Sequence, residues 1–136
     1  LSSAASDVYK RQIHDHGDLG DTILLASATN ELIVSPIAKR LDIQNVIGTQ
    51  VKFQDHKCLG SYIEPIALGS GKLQLVKKWM QSNNYESFEG VTFYSDSIND
   101  LPLLEVVDFP KAVNPDATLE KISLERGWEI INLPIL

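Results

Sequence analysis

Asp96 and Asp100, with Asn99 between them, bring two carboxylates and an amide together in the stretch Ser95-Asp96-Ser97-Ile98-Asn99-Asp100. Hard oxygen donors of this kind suit Mg²⁺, which takes one or two carboxylates and keeps several waters. Ser, Asp and Asn also cap strand ends and helix starts, because their side chains accept backbone N–H groups, so the stretch on its own supports capping as well. A Ca²⁺ loop counted from Asp96 fails, since it needs Gly where Leu101 stands and Glu where Val107 stands. The second chemical group is Lys72, in Gly69-Ser70-Gly71-Lys72. A Walker A loop fails there, because it needs Gly at Ile66 and Ser or Thr at Leu73. The third is Ser27 in Ser27-Ala28-Thr29-Asn30, a hydroxyl that either caps a helix or binds phosphate together with a helix N-terminus.

Each of these groups sits where an apolar element ends or begins. Val91 to Tyr94 reads as a buried strand, which puts Asp96 at its carboxyl end and Asp100 at the mouth of a short helix around Leu101 to Val107. In open α/β sheets that is where ligands bind. Thr22 to Ala26 is a continuous apolar strand of the kind covered by helices on both faces. After it, Leu32, Ile33, Ile37, Ala38 and Leu41 form a helical stripe, in which Pro36 implies a kink or a late start. Lys72 opens a helix carrying Leu73, Leu75, Val76, Trp79 and Met80. A cation in that first turn opposes the helix dipole by about 0.3–1 kcal/mol. A phosphate about 4 Å away would offset this with roughly 4 kcal/mol before desolvation.

The remaining elements fill in the alternation. Val46 to Gln54 and Ser61 to Ile66 read as a hairpin turning around Asp55 to Gly60, with His56 at the surface. Asn83 to Gly90 is a polar linker. Lys111 to Asn114 is a strand, Thr118 to Arg126 a helix closed by Gly127, and Trp128 to Leu133 a final edge strand. Gln12 to Asp21 reads as a helix end, with Gly17 and Gly20 as terminator and turn. His14 and His16 do not share a helix face, which argues against a zinc site. The order implies an α/β three-layer sandwich with a mainly parallel, Rossmann-like sheet plus a small hairpin.

The bulk numbers exclude whole classes. A net charge of −6 over 136 residues argues against nonspecific nucleic-acid binding, which needs a basic face. A single cysteine, Cys58, rules out an internal disulfide and implies a reducing, cytoplasmic setting. No apolar run approaches the roughly 20 residues of a membrane span. Residues 1–11 lack a clear period and an initiator Met, and are expected to be non-native or disordered sequence or the cut end of something longer. The domain is expected over 12–136.

A strand ending in Ser27, a Lys72 opening a helix, and a strand ending in Asp96 with Asp100 after it occur here in one order. In this the chain resembles the haloacid dehalogenase superfamily of phosphohydrolases, most of all its phosphoserine-phosphatase-type branch. The run Tyr94 to Leu104 is the most specific part, followed by Ala112-Val113-Asn114-Pro115-Asp116 and Arg126-Gly127-Trp128. The resemblance implies an incomplete core of that fold and a Mg²⁺-dependent phosphatase. Ser27 would hydrogen-bond the phosphoryl group, with Ala28 in the same phosphate-binding turn. Lys72 would neutralise it, Asp96 would ligate Mg²⁺, and Asp100 would support the metal and its waters. Asn99 and Asn114 would orient that shell.

One departure is large. The resemblance implies a nucleophile in an Asp-x-Asp motif after a buried strand, and no such motif stands here, nor does the branch's cap domain. The expectation is therefore a C-terminal fragment of a longer enzyme that hydrolyses a small phosphorylated metabolite, phosphoserine first and histidinol phosphate next, through an aspartyl-phosphate. The fragment alone is expected to be inactive and marginally stable or self-associating, because its sheet lacks a strand. The alternative is a non-catalytic α/β binding or interaction module.

Overall fold

Apolar strands, each followed by a polar turn and an amphipathic helix, set the architecture. The computed structural model describes residue 11 and residues 13–55 and 57–133. Helix α1 covers 13–18 and stops in a turn at Leu19 and Gly20, whose φ of 78° favours glycine. Strand β1 (Leu24–Asn30) leads directly into α2 (Glu31–Arg40), which contains Pro36, and β2 (Asn45–Thr49) returns parallel to β1. Strands β3 (Val51–Gln54) and β4 (Lys57–Tyr62) form an antiparallel hairpin. Helix α3 (Ser70–Ser82) follows, then β5 (Thr92–Ser95), a 3₁₀ turn (Ile98–Asp100) and α4 (Leu101–Leu104). The chain continues through β6 (Phe109–Val113), α5 (Ala117–Arg126) and β7 (Glu129–Ile131).

The parallel sheet is in two pieces. β1 pairs with β2, and β5, β6 and β7 pair in that order. Ile47, Ala67, Val76, Met80, Leu103 and Val107 make one core cluster, where α3 and α4 meet the β1 region. Leu104, Ala112 and Leu119 make a second, with Phe93, Trp128 and Ile130 packed on it. Leu104 and Leu119 are fully buried. Each contributes about 1.5–3 kcal/mol by leaving water.

Five local expectations are corrected. β1 does not end at Ala26 but runs to Asn30, because pairing with β2 resumes at Asn30–Thr49 after a register shift. Asn45–Thr49 belongs to the parallel sheet and not to the hairpin. The second hairpin strand starts at Lys57, because Asp55 turns the chain at a φ of 50°. α4 stops at Leu104, short of Val107. Gly17 lies inside α1, so Gly20 is the turn residue. The expectation for residues 1–10, and that for His56, fall outside the described residues. Among those described, no helix is long and apolar enough to cross a membrane.

Candidate functional site

The carboxyl end of β5 is built from side chains that hold one another. Ser95, buried, donates its hydroxyl to Asp100 Oδ2 at 2.6 Å and accepts the Ser97 N–H at 3.2 Å. Ser97 Oγ accepts the Asn99 N–H at 3.1 Å, capping the 3₁₀ turn. That turn brings Asp100 back over the strand end. Asp116 straps the same loop to α5. Its Oδ2 accepts the Ile98 N–H at 2.9 Å, its Oδ1 caps Leu119 N at 2.8 Å, and its own N–H donates to the Asp96 carbonyl at 2.9 Å.

Lys72 reaches this cluster from the first turn of α3. Its Nζ lies 2.7 Å from Asp100 Oδ1, with only 8% and 10% of the two side chains exposed. Asp100 thus offsets the unfavourable position of a cation at a helix N-terminus. Just before Lys72, the first turn of α3 lies against the Ile66 backbone at Gly71, where a Cβ would clash with the Ile66 carbonyl oxygen. Asp96 is exposed, and its carboxylate has no hydrogen bond or ion pair to a described residue.

Ser27 and Ala28 lie in the irregular part of β1, between Ala26 and Asn30. Bulged strands of this kind re-aim side chains beside sites. Ser27 is half-buried and Ala28 exposed. Thr49, at the carboxyl end of β2 and 1% exposed, donates to the Ala28 carbonyl at 2.8 Å and accepts the Ala67 N–H at 3.2 Å. It thereby ties the Ser27-Ala28 segment to the lead-in of α3, which carries Lys72. Asn99 is exposed beside Asp100. Asn114 has a φ of 43°, and its Oδ1 accepts the Leu133 N–H at 2.7 Å, so its side chain is engaged in closing β7.

Asp100 therefore contacts both Lys72 and Ser95, Asp96 stands exposed on the same loop, and Thr49 ties Ala28 to the lead-in of α3. Sequence reasoning did not assign roles to Ser95, Thr49 or Asp116. Only Asp116 carried a signal, as an Asp ahead of a helical stripe.

Tyr94, one residue before Ser95, has its phenol pushed above its ordinary pKa by burial, helped by Glu129 and Asp21 and opposed by Lys111. Its hydroxyl is 2.8 Å from His16 Nε2, and His16 Nδ1 is 2.7 Å from Asp21. Lys111, raised chiefly by its bond to Glu129 at 3.0 Å, lies 5.7 Å from the centre of the Tyr94 ring. Among the described residues no group of three or more His, Cys, Asp or Glu gathers as for a metal. Mg²⁺, which needs one or two carboxylates besides water and substrate oxygens, does not require one.

Similarity to known proteins follows the same outline. The family model for haloacid dehalogenase-like hydrolases matches residues 9–105. The chain is 40% identical to a histidinol-phosphatase of Neisseria meningitidis serogroup C over 130 residues, covering 93% of this chain and 59% of that protein. It is 36% identical to a phosphoserine phosphatase of Mycobacterium tuberculosis over 115 residues, 85% of this chain and 37% of that protein. A crystal structure of a protein of unknown function from Bordetella pertussis Tohama I superposes with a TM-score of 0.81 at 32% identity, over 90% of this chain and 56% of that one. The chain thus spans less than two thirds of each.

Proposed function

Because this chain belongs to the haloacid dehalogenase-like hydrolase family, we propose that it is part of a Mg²⁺-dependent phosphomonoester hydrolase. The observation that carries this reading is the buried Lys72–Asp100 pair, with Asp96 exposed on the same loop at the end of β5 and its carboxylate unpartnered among the described residues. Asp96 would hold the metal and Asp100 would support it, as their hard oxygens and shared loop allow. When bound, Mg²⁺ supplies charge neutralisation for phosphoryl oxygens.

The chain's own residues then have separable tasks. Lys72 presents an ammonium group with its direction fixed by Asp100, so a phosphate that meets it needs no reorganisation of the side chain. Ser27 donates to a phosphoryl oxygen and Ala28 shapes the same turn, with Thr49 holding both at a set distance from α3. Asn99 sits at the rim, and Asn114 keeps the neighbouring β6 turn in place. The nucleophile would come from sequence beyond these 136 residues. The substrate is a small phosphorylated metabolite. The names of the relatives supply histidinol phosphate and phosphoserine, the former from the more similar protein.

The test is a phosphatase assay of the full-length protein with histidinol phosphate, phosphoserine and an aryl phosphate, with and without Mg²⁺. Asp96→Ala is expected to lower turnover roughly a hundredfold or more. Undiminished turnover in Asp96→Ala overturns the reading.

A further inference from the structure

An aspartate at a strand end has local partners for its carboxylate. An Asx turn takes it to the backbone N–H two residues on, and a helix cap takes it to the third. For Asp96 those donors are the N–H groups of Ile98 and Asn99. Neither is open to it. The Ile98 N–H donates to Asp116 Oδ2 at 2.9 Å, and the Asn99 N–H donates to Ser97 Oγ at 3.1 Å. The rest of the turn is closed as well. The Ser97 N–H donates to Ser95 Oγ at 3.2 Å, and the Asp100 N–H to the Ser97 carbonyl at 3.1 Å. Every N–H from Ser97 to Asp100 is thus taken by a group other than the Asp96 carboxylate. That carboxylate stays exposed and unpartnered among the described residues.

The acceptors on Ser95 and Ser97 are local to the turn. Asp116 is not, since it lies 18 residues beyond Ile98. It caps α5 with Oδ1, which accepts the Leu119 N–H at 2.8 Å. A cap needs only one side-chain oxygen, and serine supplies it as well as aspartate does. The second oxygen goes to Ile98, and the Asp116 N–H holds the Asp96 carbonyl at 2.9 Å. Ile98 also packs on the cluster of Leu104, Ala112 and Leu119, which seats the turn against α5.

On the reading of Asp96 as a metal ligand, we propose that Asp116 is its positioning residue. Asp116 occupies the Ile98 N–H and so denies the Asp96 carboxylate its nearest backbone partner, which keeps that carboxylate available to a cation. Without the Asp116 Oδ2, Asp96 closes an Asx turn on Ile98. A metal must then displace a charge-assisted hydrogen bond before it binds.

The test uses Asp116→Ser in the full-length protein, because serine keeps the cap on α5 but has no second oxygen for Ile98. Isotope-labelled wild type and variant are compared by the NMR coupling across the hydrogen bond from the Ile98 amide nitrogen to a side-chain carboxylate carbon. Their affinity for Mg²⁺ alone is measured beside it. The coupling is expected to run to Asp116 in the wild type and to Asp96 in Asp116→Ser, with Mg²⁺ bound roughly tenfold more weakly in the variant. Adding Ile98→Pro removes the N–H that traps Asp96. Proline suits the first position of a helical turn, and Ser97 already has the extended backbone that precedes a proline, at φ −121° and ψ 136°. Asp116→Ser combined with Ile98→Pro is therefore expected to regain the Mg²⁺ affinity of the wild type. Loss of a purely structural contact would not be repaired by removing a second one. An Ile98 amide that couples to no carboxylate in Asp116→Ser overturns the proposal. So does a Mg²⁺ affinity that Asp116→Ser leaves unchanged, or that the double variant fails to restore. If the wild type itself binds no Mg²⁺ while the coupling moves to Asp96, the metal reading falls and the positioning of the Asp96 carboxylate by Asp116 stands.

Discussion

Lys72 and Asp100 meet at 2.7 Å from two separate helical turns, and both are more than nine-tenths buried. The pair fixes α3 against the loop after β5, so the spacing of the two groups is a property of the fold and not of either segment. A buried pair is costly to break and much less costly to replace. Asp100→Ala is expected to destabilise the chain by about 3–5 kcal/mol, because it strands a buried ammonium. Lys72→Met combined with Asp100→Leu is expected to cost clearly less. Urea denaturation of the wild type, both single variants and the double variant measures the coupling. Additive effects would mean that the pair does not hold the two segments together.

Thr49 carries the other link in the site. Thr49→Val keeps the shape but removes the donor to Ala28 and the acceptor for Ala67. Leaving the buried Ala67 N–H without its acceptor, and the part-buried Ala28 carbonyl without its donor, is expected to cost about 1–3 kcal/mol. Thr49→Ser should recover most of that loss in the same denaturation experiment, since it restores the hydroxyl.

Gly71 is required by close approach. A Cβ there would meet the Ile66 carbonyl oxygen at 2.0 Å, and the obstacle is backbone. Gly71→Ala must shift the start of α3 despite alanine's better helix propensity. It is expected to lower stability by about 1–3 kcal/mol. Ser70→Ala, on the exposed side of the same turn, should stay within about 0.5 kcal/mol. A thermal or urea melt of each variant checks the contrast.

The pH dependence at high pH follows from Tyr94 and Lys111. Burial raises the Tyr94 phenol above its ordinary 10.0, and the bond to Glu129 raises Lys111 above its ordinary 10.5. Both groups hold a proton more tightly folded than unfolded. Their contribution is therefore complete below those ordinary values and is lost as pH rises through the higher folded ones. Stability measured in urea is expected to be level up to about pH 10 and to fall as pH rises above it. In Tyr94→Phe, which also loses the bond to His16 at every pH, the fall should be shallower. An unchanged slope would show that Tyr94 does not contribute.

Much of this was legible in the residues themselves, for a local reason. Val91 to Tyr94 is β-branched or aromatic throughout and the chain then turns abruptly polar, so a strand ending just before Asp96 follows from the local pattern, although the structure leaves most of that strand only partly buried. Gly127 after Arg126 ends α5 with a φ of 68°, and Asp116 begins it as a cap. These signals lie within one turn of the feature they mark. The extent of β1 was not legible, because Ser27-Ala28-Thr29-Asn30 has turn chemistry and is held extended only where Asn30 meets Thr49 of β2. The assignment of Asn45–Thr49 to the sheet and not to the hairpin is the same kind of fact, since an apolar β-branched run does not say which strand it will pair with.

The sequence by itself determined the α/β class, the order of elements, and the positions of Asp96, Asp100 and Lys72 at element ends, because each depends on near neighbours in the chain. Only the tertiary structure decided that Lys72 is held by Asp100, that Thr49 bridges Ala28 and Ala67, and that Asp116 ties the loop after β5 to α5. Those relationships join residues far apart in sequence. They arise from burial and from the pairing of polar groups that water no longer reaches.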